Sequence, residues 1–246
     1  MELDTARDFL ANVLKEYPFP ENEYEADYLR KHMQRYRDSC DLIAANCPSD
    51  GRLLSMGCEP GHIEILLQEY FGFRQITGLS YRASEEFKLR MTRFDIPMLE
   101  CDVENAPIPN EDGSFHSIVF LEVLEHMFTG VPHALSEMHR VLRPGGTMVL
   151  STPNLAQFRN RIKLLKGGSI NWPLDGAKDF FGKPVHLRHN REYTNKEICF
   201  LLHGAGFEID KVRFGEYSPE RPRLMRIFNS LYPTFNSNIF VVARRM

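Results

Sequence analysis

The sequence predicts an α/β domain built on a mostly parallel sheet, and three observations carry that expectation. From Arg52 onward, short apolar runs alternate with helix-spaced segments of about 10–15 residues, the pattern of strands joined by crossover helices. A glycine-containing turn, Gly57-Cys58-Glu59-Pro60-Gly61, stands where the first run ends and a helical stretch begins. The 246 residues are 43% hydrophobic and 26% charged, which suits a buried core and excludes general disorder.

The elements follow in order. Residues 3–16 and 23–46 carry apolar side chains at helical spacing (Phe9, Leu10, Val13, Leu14; Tyr28, Leu29, Met33, Tyr36), split by the breaker Pro18-Phe19-Pro20. Residues 1–48 are too few for a core of their own, so they are expected to form a helical lid over the site. A strand at Leu53–Met56 leads through the glycine turn into a helix over His62–Tyr70. Next come a strand at Gln75–Leu79, a charged helix at Ala83–Phe94, and strands at Met98–Cys101 and Ser117–Phe120. A strand at Thr147–Ser151 follows the turn Arg143-Pro144-Gly145-Gly146. Thr152–Glu192 has weak periodicity and several Gly and Pro residues; it reads as an insertion after the fifth strand, on the substrate side over 155–192. A helix at Asn195–Ala205 and strands at Glu208–Phe214 and Asn238–Arg244 complete a main domain over 49–246.

Charge and cysteine usage narrow the function. A net charge of −3 gives no global field toward nucleic acid or anionic membrane, so neither is an expected partner. The five cysteines (Cys40, Cys47, Cys58, Cys101, Cys199) are scattered and suggest neither a disulfide framework nor a cysteine zinc site. The first residues, MELDTARDFLANVL, lack the basic and apolar regions of a signal peptide. The apolar runs Ile118–Leu121 and Ile239–Ala243 are far shorter than the ~20 residues of a membrane helix. A cytoplasmic protein without a membrane span is the expectation, and its oligomeric state is open.

The first strand–glycine–helix unit is the candidate cofactor loop, because glycine lets the backbone turn sharply and approach a ligand beside free helix N–H groups. Gly57-x-x-x-Gly61 is shorter than the dinucleotide fingerprint, and a purely structural turn fits it too. The later motifs add order: Asp102-Val103 after the third strand, Gly113–Val119, Phe120-Leu121-Glu122-Val123-Leu124-Glu125-His126, and Arg140-Val141-Leu142-Arg143-Pro144-Gly145-Gly146.

With these motifs the sequence, from about Arg52 to its end, resembles the class I S-adenosylmethionine-dependent methyltransferases. The resemblance implies a Rossmann-like seven-stranded, mostly parallel sheet with helices on both faces and an antiparallel last strand. It implies S-adenosylmethionine as cofactor, its methionine part against Gly57, Cys58 and Gly61 and its adenine near Asp102 and Val103. Phe120, Leu121 and Glu122 would border the sulfonium. Two positions depart from the family. Glu59 stands where a glycine is usual, and Ser80 where an aspartate closes the second strand and holds the ribose hydroxyls. Glu59 replaces that acid or points to solvent; a degenerate pocket is the other reading.

Glu122, Glu125 and His126 have the i, i+3, i+4 spacing of one helical face, on a helix expected just after the fourth strand. Two carboxylates and an imidazole repel unless something positive sits among them, and Mg²⁺ or Mn²⁺ suits such ligands. Pairing of Glu125 with a nearby cation, His126 being structural, fits equally. Arg188-His189-Asn190-Arg191-Glu192-Tyr193-Thr194 is similar to a segment of the small-RNA terminal 2′-O-methyltransferases that carries a fourth ligand, and ubiquinone-pathway O-methyltransferases share the E-x-x-E-H. This resemblance implies a metal set of Glu122, Glu125, His126 and His189; without a metal, His126 or His189 is the candidate catalytic base. His189 as a surface histidine remains open.

Other features read blandly. His116 receives no role, and His133, His139 and His203 lie on expected helices facing solvent. Arg159–Lys166 is an amphipathic helix, either a solvated face or a site for an anionic substrate group. Trp172, Phe180 and Phe181 either pack the insertion or stack on a sugar or base. A hydroxyl needs a base or a metal to become a nucleophile, so chelation favours an acceptor with vicinal hydroxyls. The expected activity is metal-assisted O-methylation of a sugar, glycan or saccharide-containing metabolite, in the style of bacterial polysaccharide or secondary-metabolite methyltransferases. The alternatives are an RNA 3′ end as acceptor, or a non-catalytic cofactor-binding protein.

Overall fold

The computed structural model describes residues 23–171, 189–215 and 223–246. Seven strands lie in them: β1 (Arg52–Met56), β2 (Gln75–Ser80), β3 (Met98–Glu100), β4 (Phe115–Leu121), β5 (Leu142–Pro153), β6 (Phe207–Gly215) and β7 (Asn238–Arg245). Helices α1 (Glu23–Asn46), α2 (His62–Phe71), α3 (Glu85–Arg93), α4 (Val131–Val141), α5 (Phe158–Leu165), α6 (Asn195–Gly204) and α7 (Arg223–Leu231) connect or flank them. The strands form one sheet in the order β3-β2-β1-β4-β5-β7-β6. Only β7 runs antiparallel to its neighbours β5 and β6.

Strict alternation along the central strands divides the core in two. Leu54, Phe120, Met148, Leu150 and Val241 face one side, against Leu135 and Met138 of α4 and Ile198 and Leu202 of α6. Leu53, Val119, Val149 and Val242 face the other, against Ile43 of α1, Leu66 of α2 and Phe87 of α3. A sheet covered on both faces explains why these strands read as near-continuous apolar runs. Residues of β1, β2 and β4 run in register, with Met56 opposite Leu79 and Phe120. Their carboxyl ends therefore open together at one edge, where ligands bind in such sheets.

Two expectations change. No helix begins at Glu122: that residue is left-handed (φ 55°), a single 3-10 turn covers Leu124–His126, and α4 starts only at Val131. The Glu122 N–H donates to the Ser151 carbonyl (2.9 Å), which holds the chain in sheet pairing, and Pro132 sets the first turn of α4. The turn expected at Arg143–Gly146 lies inside a longer β5, which pairs at Leu142 and again from Thr147 with a register shift between. Within the insertion, the helix expected at Arg159–Lys166 is α5, one residue earlier. The helix expected over 3–16, its breaker Pro18–Pro20, and Trp172, Phe180, Phe181 and Arg188 lie outside the described residues. The second half of α1 is packed into the domain, with Cys40, Leu42 and Ile43 buried, as is Cys47 just beyond it. Among the described residues no helix is long and apolar enough to cross a membrane.

Candidate active site

The turn after β1 is fixed by its glycine and its hydrogen bonds. Gly57 has φ 67°, and a Cβ there would stand 2.3 Å from Val123 Cγ2, so both conformation and space demand glycine. The Gly57 and Cys58 N–H groups donate to the Leu79 carbonyl (2.7 and 3.4 Å), tying the turn to the end of β2. Among the described residues, two clefts open around it. The larger, about 470 Å³, is bordered by Gly57, Glu59, Ser80, Asp102, Val103 and the 126–128 segment. The smaller, about 340 Å³, is bordered by Arg35, Ser55, Cys58, Glu64 and Leu121. Gly57, Glu59, Glu122 and His126 border both, so the two join at the sheet edge.

The residues expected at the cofactor divide accordingly. Gly61 borders neither cleft; it caps α2 in a left-handed conformation against Met91 and Phe87 of α3. The Cys58 thiol turns into the core toward the Leu79 carbonyl (3.5 Å) and Met98 Sδ (3.8 Å). Asp102 uses its carboxylate locally, accepting from the Glu104 N–H and Asn105 Nδ2. Glu59 is held across the turn, accepting from Ser84 Oγ (2.9 Å) at the N-cap of α3, and it shares the larger cleft with Ser80.

At the other end of the site, a Glu125 side chain only 1% exposed accepts from Thr152 Oγ1 (2.9 Å), and its second oxygen lies 3.9 Å from His126 Nε2. The His126 and His189 rings meet edge to face with centroids 5.0 Å apart. One ligand atom each from Glu125, His126 and His189 lies within 4.8 Å of the others. Backbone bonds bring His189 there: Asn190 N–H donates to the Glu125 carbonyl (2.7 Å), and Asn190 Nδ2 to that of His126 (2.6 Å). Burial, reinforced by the charge of Glu122, pushes the Glu125 carboxyl well above the usual carboxylate range. A divalent ion would relieve that burial, so the donor set fits a metal. One oxygen and two imidazoles suit Mn²⁺ better than Mg²⁺.

Glu122 stands outside this cluster. Arg35 Nη1 donates to its Oε2 (2.7 Å), while Ser151 Oγ (2.6 Å) and Asn238 Nδ2 (2.8 Å) donate to Oε1. The positive charge that the two carboxylates call for is thus partly Arg35, 87 residues earlier in the chain. Sequence reasoning missed Arg35, and also Glu104, whose carboxylate accepts from the N–H groups of Phe128, Thr129 and Gly130 and fixes that wall of the larger cleft. An acid two residues beyond Asp102 was the available signal for Glu104; Arg35 offered none.

A doubly covered, mostly parallel sheet with a reversed seventh strand, opening at a glycine turn beside an acid-histidine cluster, is a Rossmann-like domain with its ligand edge at that turn. The chain belongs to the S-adenosylmethionine-dependent methyltransferases: residues 28–212 match the family described as a methyltransferase domain. A Mycolicibacterium smegmatis protein described as a "probable S-adenosylmethionine-dependent methyltransferase" is 30% identical over 185 residues, 74% of this chain and 60% of that protein. This chain thus spans less than two thirds of that relative. A Mycobacterium tuberculosis protein of the same description is 25% identical over 90% of this chain and 70% of its own. A solved structure from Pyrococcus horikoshii superposes with a TM-score of 0.62 over 96% of this chain and 99% of that one; at 17% identity the likeness shows the fold alone.

Proposed function

We propose that the protein is an S-adenosylmethionine-dependent O-methyltransferase that uses a divalent ion to hold a sugar, glycan or other saccharide-containing acceptor by neighbouring hydroxyls. The convergence of Glu125, His126 and His189 beside the clefts carries this reading. When bound, the cofactor supplies the electrophilic methyl group, and the ion lowers the pKa of the attacking hydroxyl. The chain's own residues do the rest. Thr152 orients the Glu125 carboxylate, and the Asn190 contacts fix His189 opposite His126. That His126 borders both clefts supports a ligand imidazole close to where the acceptor hydroxyl would lie. Arg35 neutralises Glu122 at the same edge. In this reading residues 1–48 cover the site, since Arg35, Tyr36 and Ser39 of α1 border the smaller cleft, and the 155–192 segment delivers His189 from its far end. The free cysteines suit work in the reducing cytoplasm.

The test is methyl transfer from labelled cofactor to a panel of sugars and saccharide metabolites. Turnover should stop in excess chelator and return with Mn²⁺. Full turnover in chelator would sink the metal and leave His126 or His189 as the general base.

A further inference from the structure

We propose that Glu64 receives the α-ammonium group at the methionine end of the cofactor. The proposal rests on S-adenosylmethionine being the cofactor and assigns a partner to one end of it.

Glu64 is the third residue of α2, is 2% exposed, and borders the smaller cleft together with Ser55 and Gly57. The Ser55 hydroxyl donates to its Oε1. Its Oε2 is shut off from solvent and has no hydrogen-bond partner among the described residues. A carboxylate placed in a first helical turn for its dipole alone would sit at the surface, where water satisfies it. A buried one with an orphaned oxygen carries a desolvation cost that asks for a missing partner.

The chemistry of that partner follows from the site. An anion is excluded by the carboxylate, and a neutral donor would leave it without a charged partner. A compact cation with several N–H donors satisfies it, and an ammonium group is such a cation. The cofactor carries one on its amino-acid end, and the Gly57–Gly61 turn, from which Gly57, Cys58 and Glu59 border the same cleft, is where that end is expected. Burial holds the Glu64 carboxyl up at about 7, so it is largely protonated in slightly acidic solution and gives up its proton when the ammonium arrives. The groups around it do not imitate this. His62, on the same helix, is held down at about 3 by burial and stays neutral. The Cys40 and Cys58 thiols are raised and stay protonated. Arg35 is on Glu122, and Glu59 is on Ser84. His126 borders both clefts and is controlled for by comparing two ligands.

Calorimetry with S-adenosylhomocysteine and with 5′-methylthioadenosine, which lacks the amino-acid end, separates the possibilities. Glu64→Gln, which keeps the Ser55 bond, should weaken S-adenosylhomocysteine about tenfold or more while 5′-methylthioadenosine changes less than about twofold. The unaltered protein, titrated at about pH 6.5 in buffers of different ionisation enthalpy, should release protons with the first ligand and none with the second. That measurement decides the matter should Glu64→Gln fold poorly. Equal losses for both ligands, or an unchanged S-adenosylhomocysteine affinity without proton release, would overturn the assignment. Failure of the unaltered protein to bind either ligand would instead overturn the cofactor reading, and the role of Glu64 with it.

Discussion

At the residue scale, position along the chain revealed some of the site and hid the rest. Gly57 was readable because a strand end followed by glycine has few other uses, and the Val123 contact shows why only hydrogen fits there. Gly57→Ala should destabilise the fold by about 2 kcal/mol or more, from the left-handed φ and the clash together, with cofactor affinity falling in parallel; urea unfolding and calorimetry measure the two. Gly61→Arg should also lose cofactor binding, but through displaced α3, so its melting temperature should fall as well. Glu64 was not readable, since nothing in HIEILLQEY marks one carboxylate as buried. Its folded-state value of about 7 lies above its ordinary 4.5, so folding favours its protonated form. The stability this confers is full below about pH 4.5 and is lost as pH rises through 7, a change of roughly 3 kcal/mol if the shift is converted directly. Glu64→Gln should flatten that limb of the stability–pH curve; an unchanged limb would show that another group causes it.

At the element scale, the strands and crossover helices were legible because apolar runs and helical spacing are local properties. The exception is instructive. Glu122, Glu125 and His126 have helical spacing, yet Leu121 is still paired with β5 and Glu122 turns left-handed to keep its N–H on Ser151. A tertiary bond overrode the local pattern. α1 shows the same dependence on distant partners. Its Arg35 is 5% exposed and anchors the helix to Glu122 at the end of β4. Arg35→Met should therefore cost about 3 kcal/mol by leaving a carboxylate uncompensated, and Glu122→Gln in the same background should restore much of it. Additive losses in a double-mutant cycle would show that the pair is not coupled.

At the scale of the whole molecule, the sheet order brings β1, β2 and β4 to one open edge, but no local pattern reveals which later segment returns to it. Asn190 and Arg191 do so by bonding to the backbone of Glu125 and His126, more than sixty positions earlier. The resemblance supplied His189 as a candidate, while the geometry distinguishes its neighbours: Glu125, His126 and His189 share ligand distance, and Glu122 is taken up by Arg35, Ser151 and Asn238. Direct Mn²⁺ binding, followed by electron paramagnetic resonance without any acceptor, tests this division. Glu125→Gln and His189→Ala should each weaken Mn²⁺ by at least the 10- to 100-fold that even outer-shell changes cost, while S-adenosylhomocysteine affinity stays within about threefold. Glu122→Gln should leave Mn²⁺ affinity within about threefold, because its carboxylate already has three protein donors. A large loss of Mn²⁺ with Glu122→Gln would show that Arg35 yields Glu122 to the ion and that the ligand set has four members.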